Sequence, residues 1–319
     1  MLKPNSIHYL NTVLLITTIV ILLFVRADKK EDIKHTDAFN QFYNIFSLET
    51  PTNLEFAGEK IPINDMEIYE RYDREILTNV YWQSQTLLMI KRAARFFPII
   101  EPILKQNGIP DDFKYLAIAE SGLQNVSSPA GAVGYWQFLD KTALRYGLQV
   151  NEEVDERYHI EKSTEAACKY FKEAYLVFNN WTLAAASYNM GIEGVKRQLQ
   201  QQNVTNYHDL YLNIETSRYV FRAVSFKEIM INPVKYGFHI LPNHLYFPRA
   251  TAKVKTEQTI PDLTVLCDKY QLNYKTLKLL NPWLRKPKLT VEQGKSYYIS
   301  IPKSGGANLN RQDTLLFEQ

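Results

Sequence analysis

Apolar residues are distributed along this chain in three regimes. From Tyr9 to Val25 they run almost unbroken, "YLNTVLLITTIVILLFV", and give way at once to the charged "RADKKED". A run of about 17 residues is short for a bilayer span and long for the core of a secretory signal. Val25 and Ala27 supply the small-residue pattern that suits cleavage after Ala27. Residues 1–27 are therefore expected to be a signal peptide or a signal anchor, and the chain to be exported. No cysteine follows the run, which excludes a lipoprotein anchor. Residues 28–63 carry short apolar patches such as "FNQFYNIF" without sustained period and read as an N-terminal arm or linker.

From Asn64 the spacing becomes helical. Met66, Tyr69, Tyr72 or Asp73, Ile76 and Val80 recur every three to four residues, the period of one helix face. "SQTLLMIKRAARFFPIIEPILKQNGIP" predicts one or two further helices, broken at Pro98 and closed by Gly108 and Pro110. Asp111 or Asp112 then caps a helix ending at Glu120. Further helices are predicted over Lys141–Tyr146, Ser163–Asn179, Trp181–Tyr188, Gly191–Gln202 and Glu215–Ile231, with Asp140 capping the first of these. No alternating strand pattern interrupts them, so residues 64–238 read as an all-α domain.

The third regime begins after a proline-rich stretch. Residues 239–255 read as a linker. Residues 256–303 predict helices over Asp262–Tyr270 and Asn273–Leu280, then "NPWL", then a closing strand in "GKSYYISIP". That is a small α+β module, and residues 304–319 are a polar tail. The fold class is thus mainly α, with an α-helical domain followed by the small module.

Composition narrows the function classes. The 319 residues carry 37 basic and 34 acidic side chains, a net charge of +3. That excess is too small for a nucleic-acid surface, and no basic block with interleaved aromatics appears. Cys168 and Cys267 lie far apart without metal-ligand spacing. Cys168 falls in an alanine-rich helical run that suits a buried thiol, and the two lie in different predicted domains, which disfavours a disulfide.

The candidate chemistry centres on "YLAIAESGLQNVSSPAGAVGYWQF", residues 115–138. Phe113, Leu116 and Ala117 share a helix face with Glu120, so its carboxylate emerges on the core side of the last turn, before Gly122. Burial and the negative end of the helix dipole both favour the protonated form, as a general acid at neutral pH requires. A structural glutamate at a helix end would show the same placement. Gly131 and Gly134 permit close backbone approach around Trp136 and Gln137.

Four ordered motifs carry a resemblance. They are Glu120-Ser121, then Ser128 to Gln137 (Ser-Pro-x-Gly-Ala-x-Gly-x-x-Gln), then Ser187-Tyr188-Asn189, then Glu215-Thr216 with Tyr219-Val220. Together they resemble the lytic transglycosylase domain of the soluble-lytic-transglycosylase, goose-lysozyme-like type, over about Trp82 to Phe238. Ser187 stands where the family has alanine, Asp140 where proline is common, and the turn from Glu120 to Ser128 is one residue short. Residues 256–303 resemble a degenerate LysM module, with Gln258-Thr259-Ile260 in place of its Gly-Asp-Thr opening.

The resemblance implies a lysozyme-like fold and cleavage of the β-1,4 bond between N-acetylmuramic acid and N-acetylglucosamine in peptidoglycan, without metal or cofactor, in the cell envelope. Glycan strands are the implied partner, with the membrane as a second if the N-terminal segment stays uncleaved. Glu120 is the implied catalytic residue. Ser128, Gln137, Tyr188, Asn189 and Trp136 are implied to bind substrate, with Ser121, Glu215 and Arg218 supporting them. Trp136 could equally be a core residue, and Glu215 a helix-start acid. Two-carboxylate glycosidases need a second acid, and no second carboxylate falls in a matching motif. A lytic transglycosylase needs one. A muramidase-type hydrolase and a catalytically silent wall-binding scaffold are the competing readings.

Overall fold

The computed structural model describes residues 13–22 and 45–303. Two compact units divide at Glu49 and Thr50. In the first, residues 13–22 form a helix, α1, whose side chains are exposed. Among the described residues no helix is long and apolar enough to cross a membrane. The expected cleavage site after Ala27 and the tail over 304–319 lie outside the described residues.

The second unit opens on a hairpin, β1 (Leu54–Phe56) and β2 (Glu59–Ile61), paired Leu54 to Ile61 and Phe56 to Glu59. Its turn places Ala57 and Gly58 at positive φ, 55° and 78°, the conformation of the tightest two-residue hairpin loops. Within the arm or linker expected over residues 28–63, the hairpin is instead part of the packed unit. Leu54, Phe56 and Ile61 are fully buried, and the Phe56 and Phe113 rings lie 5.4 Å apart. Strands this short carry no readable alternation, which is why the pattern missed them.

Helices α2 (Met66–Tyr81), α3 (Gln83–Gln106), α4 (Lys114–Ser121), α5 (Asp140–Arg145), α6 (Ile160–Phe178), α7 (Trp181–Met190), α8 (Ile192–Gln202) and α9 (Ile214–Ile231) follow. Helices α2, α4 and α7 all pack on α9, and α3 and α7 pack on α6. Caps explain most boundaries. Asp65 accepts from Glu67 and Ile68 N–H at the start of α2, and Asn213 from Glu215 and Thr216 at the start of α9. Glu59 of the hairpin reaches Trp181 N at 2.6 Å and Thr182 N at 2.8 Å, occupying two free donors at the head of α7.

Three local expectations are corrected. Pro98 does not break α3, which runs through both Pro98 and Pro102. Ile100 and Leu104, fully buried in the same segment, hold the helix against the core, outweighing the lost backbone hydrogen bonds. Neither Asp111 nor Asp112 caps α4. Asp111 pairs with Lys114, and Asp112 accepts from Ala57 N at 2.7 Å and from Lys227 Nζ at 2.8 Å, tying the hairpin and α9 to the turn ahead of α4. Asp140 is not a cap but the first residue of α5, paired with Arg157.

The proline-rich linker is docked rather than free. Tyr246 N donates to Lys91 O at 3.1 Å, and Arg95 Nε to Phe247 O at 3.2 Å. Beyond it, β3 (Thr251–Thr256) pairs antiparallel with β4 (Tyr297–Pro302), flanked by α10 (Thr264–Tyr270) and α11 (Tyr274–Leu280). The module therefore starts within the segment taken as linker, because β3 is a partly exposed edge whose lysines blur its alternation. Val154 inserts from the helical domain into the module's core of Leu263, Leu277, Trp283, Leu284 and Ile299. Backbone bonds Asp155 N to Trp283 O and Arg285 N to Glu153 O, 2.9 and 2.7 Å, fasten the two. Cys168 and Cys267 are both buried free thiols.

Candidate active site

Glu120 occupies the last turn of α4, which ends because Gly122 adopts φ 59°, the left-handed cap that favours glycine. Arg92 of α3 donates to Gly122 O at 2.7 Å and fixes this helix end. The Glu120 side chain keeps partial contact with solvent but sits deep among protein atoms. Its carboxyl is pushed up to about 7, chiefly by burial. The neighbouring Glu215 charge adds to that rise, while a hydrogen bond from Tyr219 and the Arg222 charge oppose it.

Tyr219 touches the acid directly, with its hydroxyl 2.5 Å from Glu120 Oε1. Tyr219 lies in the fourth motif, yet sequence reasoning gave it no role. The signal was there, because a tyrosine four residues after Glu215 falls one turn further along the same helix face. Two more residues escaped it. Glu75 of α2 is buried and pairs with Arg218 and with Arg222 Nε, the latter at 3.7 Å. Arg218 is thus a partner of Glu75, and the pair holds Arg222 where its charge reaches Glu120.

A loop over residues 122–139 is stapled from both sides. From α4, Ser121 Oγ donates to Tyr135 O at 2.8 Å. From α7, the Tyr188 hydroxyl donates to Trp136 O at 2.7 Å. Burial, with the Glu120 charge second, drives the Tyr188 hydroxyl well above its usual range, so it remains a protonated donor. Inside the loop, Gln137 takes φ 51° and its amide nitrogen donates to Gly134 O at 2.7 Å and Val126 O at 3.0 Å. Ser128 Oγ accepts from Ala132 N at 3.0 Å within a tight turn. Gly134, at φ 84°, passes so close to the Arg157 carbonyl that a Cβ would sit 2.0 Å from its oxygen. No side chain fits there.

Asn189 bridges two residues of α9. Its Nδ2 donates to Glu215 Oε1 at 3.0 Å, and its Oδ1 accepts from Thr216 Oγ1 at 2.7 Å. The structure therefore gathers Glu120, Tyr188 and Tyr219 through electrostatic and hydrogen-bond contact, with Glu215 held by Asn189 at the edge. Gln137 and Ser121 shape the loop. Trp136 is the correction. It is fully buried, with Nε1 donating to Thr164 Oγ1 at 2.9 Å, and no face is open to stack on a sugar.

Comparison with known proteins fits this geometry. Residues 97–210 match the model of the transglycosylase SLT domain, and residues 252–305 that of the soluble lytic transglycosylase C-terminal LysM-like domain. Membrane-bound lytic murein transglycosylase D of Escherichia coli K12 is 26% identical over 258 residues, 78% of this chain and 55% of the relative. The same protein of Escherichia coli O6:H1 matches equally. The chain spans about half the length of these curated relatives. The chain is thus similar to a transglycosylase SLT domain over residues 97–210 and, after it, to a LysM-like domain of the soluble lytic transglycosylase type over residues 252–305.

Proposed function

We propose that the chain is a peptidoglycan lytic transglycosylase that works in the bacterial envelope with Glu120 as its single acid and base. One observation carries the reading: a buried carboxyl held near pH 7, in an SLT domain, against the hydroxyl of Tyr219. Protonated Glu120 gives its proton to the glycosidic oxygen between N-acetylmuramic acid and N-acetylglucosamine as the C1–O bond breaks. The muramyl ring is left with oxocarbenium character. The Glu120 carboxylate then takes the proton of the C6 hydroxyl, and that oxygen bonds to C1 as a 1,6-anhydro bridge. No water is consumed.

Tyr219 stabilises the carboxylate stage, since its hydroxyl favours ionised Glu120. Tyr188 keeps its proton and stands beside the acid, suited to the acetamido group or the developing charge. Ser128 retains a hydroxyl hydrogen to donate. Asn189 holds the Glu215 carboxylate in place, and Gln137 acts by setting the loop that faces the sugar. The relatives' printed name, membrane-bound and acting on murein, is in line with the export expected from the apolar run at residues 9–25.

Glu215 favours a second reading, a muramidase-type hydrolase, because among the described residues it is the carboxylate whose charge raises Glu120. Glu120→Gln is expected to lower cleavage of purified peptidoglycan by about 10²–10⁴-fold, while Glu215→Gln leaves bond cleavage largely intact. Wall digestion by Glu120→Gln at the rate of the unmodified chain would refute the proposal.

A further inference from the structure

Between α3 and the C-terminal module lies a cavity of about 660 Å³, the size of a small-ligand site. Its wall holds three half-buried guanidinium groups, from Arg92, Arg95 and Arg249. None of them has a carboxylate partner among the described residues. Arg92 and Arg95 each donate to one backbone carbonyl, Gly122 O and Phe247 O. Arg249 has no hydrogen bond or ion pair among the described residues. Burial weakens all three cations, and Arg95 and Arg249 also repel each other. The single carboxylate in the lining, Glu161, is already engaged by His159 Nδ1 and Lys253 Nζ, each at 3.1 Å.

Half-buried like charges without counter-ions cost free energy that a folded chain does not spend without return. A guanidinium fork recovers it best by binding a carboxylate or phosphate through paired hydrogen bonds. Two features favour a carboxylate on an organic ligand over a bare inorganic anion. Phe96, Tyr246 and Leu279 line the same cavity, are at least partly exposed, and offer apolar surface to a carbon skeleton. The cavity is also walled by residues 123–126, and Val126 O in that segment anchors Gln137 of the active-site loop. A chain branching from a strand bound at Glu120 would thus meet the cavity behind one loop.

We propose that Arg95, Arg249 and Arg92 form a second binding site, for the carboxylates of the wall peptide that branches from the muramyl lactyl group. The proposal rests on the peptidoglycan reading for its choice of ligand. In it, the docked LysM-like domain completes the site, with Arg249 brought in just ahead of β3 and Trp283 closing the far wall.

The test is calorimetric titration of the full chain with the free tetrapeptide Ala-γ-Glu-diaminopimelate-Ala, with the same peptide carrying amidated carboxylates, and with inorganic phosphate. The free peptide is expected to bind, and Arg249→Gln to weaken it about tenfold or more. Arg249→Lys is expected to recover part of the loss, and the unfolding midpoint of each variant shows that the fold is intact. Equal binding of the amidated peptide, or an unchanged affinity in Arg249→Gln, would overturn the proposal. Phosphate binding as tightly as the peptide would also overturn it and assign the site to free anions. Titration reads no bond cleavage, so a chain that cleaves glycan but binds no peptide refutes this site alone.

Discussion

Replacing Glu120 by glutamine should make the protein more stable, and only above a defined pH. In the unfolded chain this carboxyl ionises at its ordinary 4.5, whereas in the fold burial holds it at about 7. Between those values the folded state keeps a proton that the unfolded state has lost. Its contribution to stability is therefore complete below 4.5 and is lost as pH rises through 7. At 1.36 kcal/mol per pH unit the loss is about 3 kcal/mol, or about 2 once the partial contact with water is allowed for. Glutamine has the same shape and no proton to lose. The difference in unfolding free energy between Glu120→Gln and the unmodified chain should move in favour of the variant by about 2–3 kcal/mol from pH 4 to pH 8.5. Urea titrations of both chains at a series of pH values measure it, since every other carboxylate cancels in the difference. Parallel stability curves would show that Glu120 ionises as an ordinary surface acid, and the account of it as a neutral-pH acid would fall.

Other perturbations separate chemistry from scaffold. Tyr219→Phe removes the hydrogen bond that favours ionised Glu120, so the alkaline limb of the pH profile of kcat/KM should move upward from about 7, with a rate loss of about tenfold. Gly134→Ala forces a side chain onto the Arg157 carbonyl at a positive φ and should cost about 3 kcal/mol or more in urea unfolding, with activity lost alongside. Trp136→Ala should lower unfolding free energy by about 3–5 kcal/mol as a buried-core truncation. At temperatures where Trp136→Ala is still folded, its KM for glycan should be unchanged, and a raised KM would restore a sugar-stacking role.

The helical half of this fold was legible because its signals are local. Three-to-four spacing marks α2, and Gly122 ends α4 where its φ of 59° requires a glycine. What stayed hidden depends on partners distant in sequence. The three-residue strands of the hairpin are too short for periodicity, and their burial against Phe113 appears only in the fold. Pro98 argues locally for a break, and packing of Ile100 and Leu104 overrides it. At the site, one helix face followed by glycine turns marked Glu120 as a core-side carboxyl, and only the resemblance of four ordered motifs gave it a role. Trp136 was ambiguous because an indole suits a sugar or a core equally well, and only Thr164, 28 residues away, decides the matter. The pairing of Glu75 with Arg218 spans 143 residues and leaves no pattern in the chain.

The central claim is that one carboxylate does the work of acid and base and that the C6 hydroxyl, not water, closes on C1. Mass spectrometry of the fragments released from purified peptidoglycan reads this directly. The account predicts muropeptides ending in 1,6-anhydro-N-acetylmuramic acid, one water lighter than their reducing counterparts and resistant to borohydride. Release of reducing-end muropeptides by the unmodified chain would contradict it and assign the site to a hydrolase.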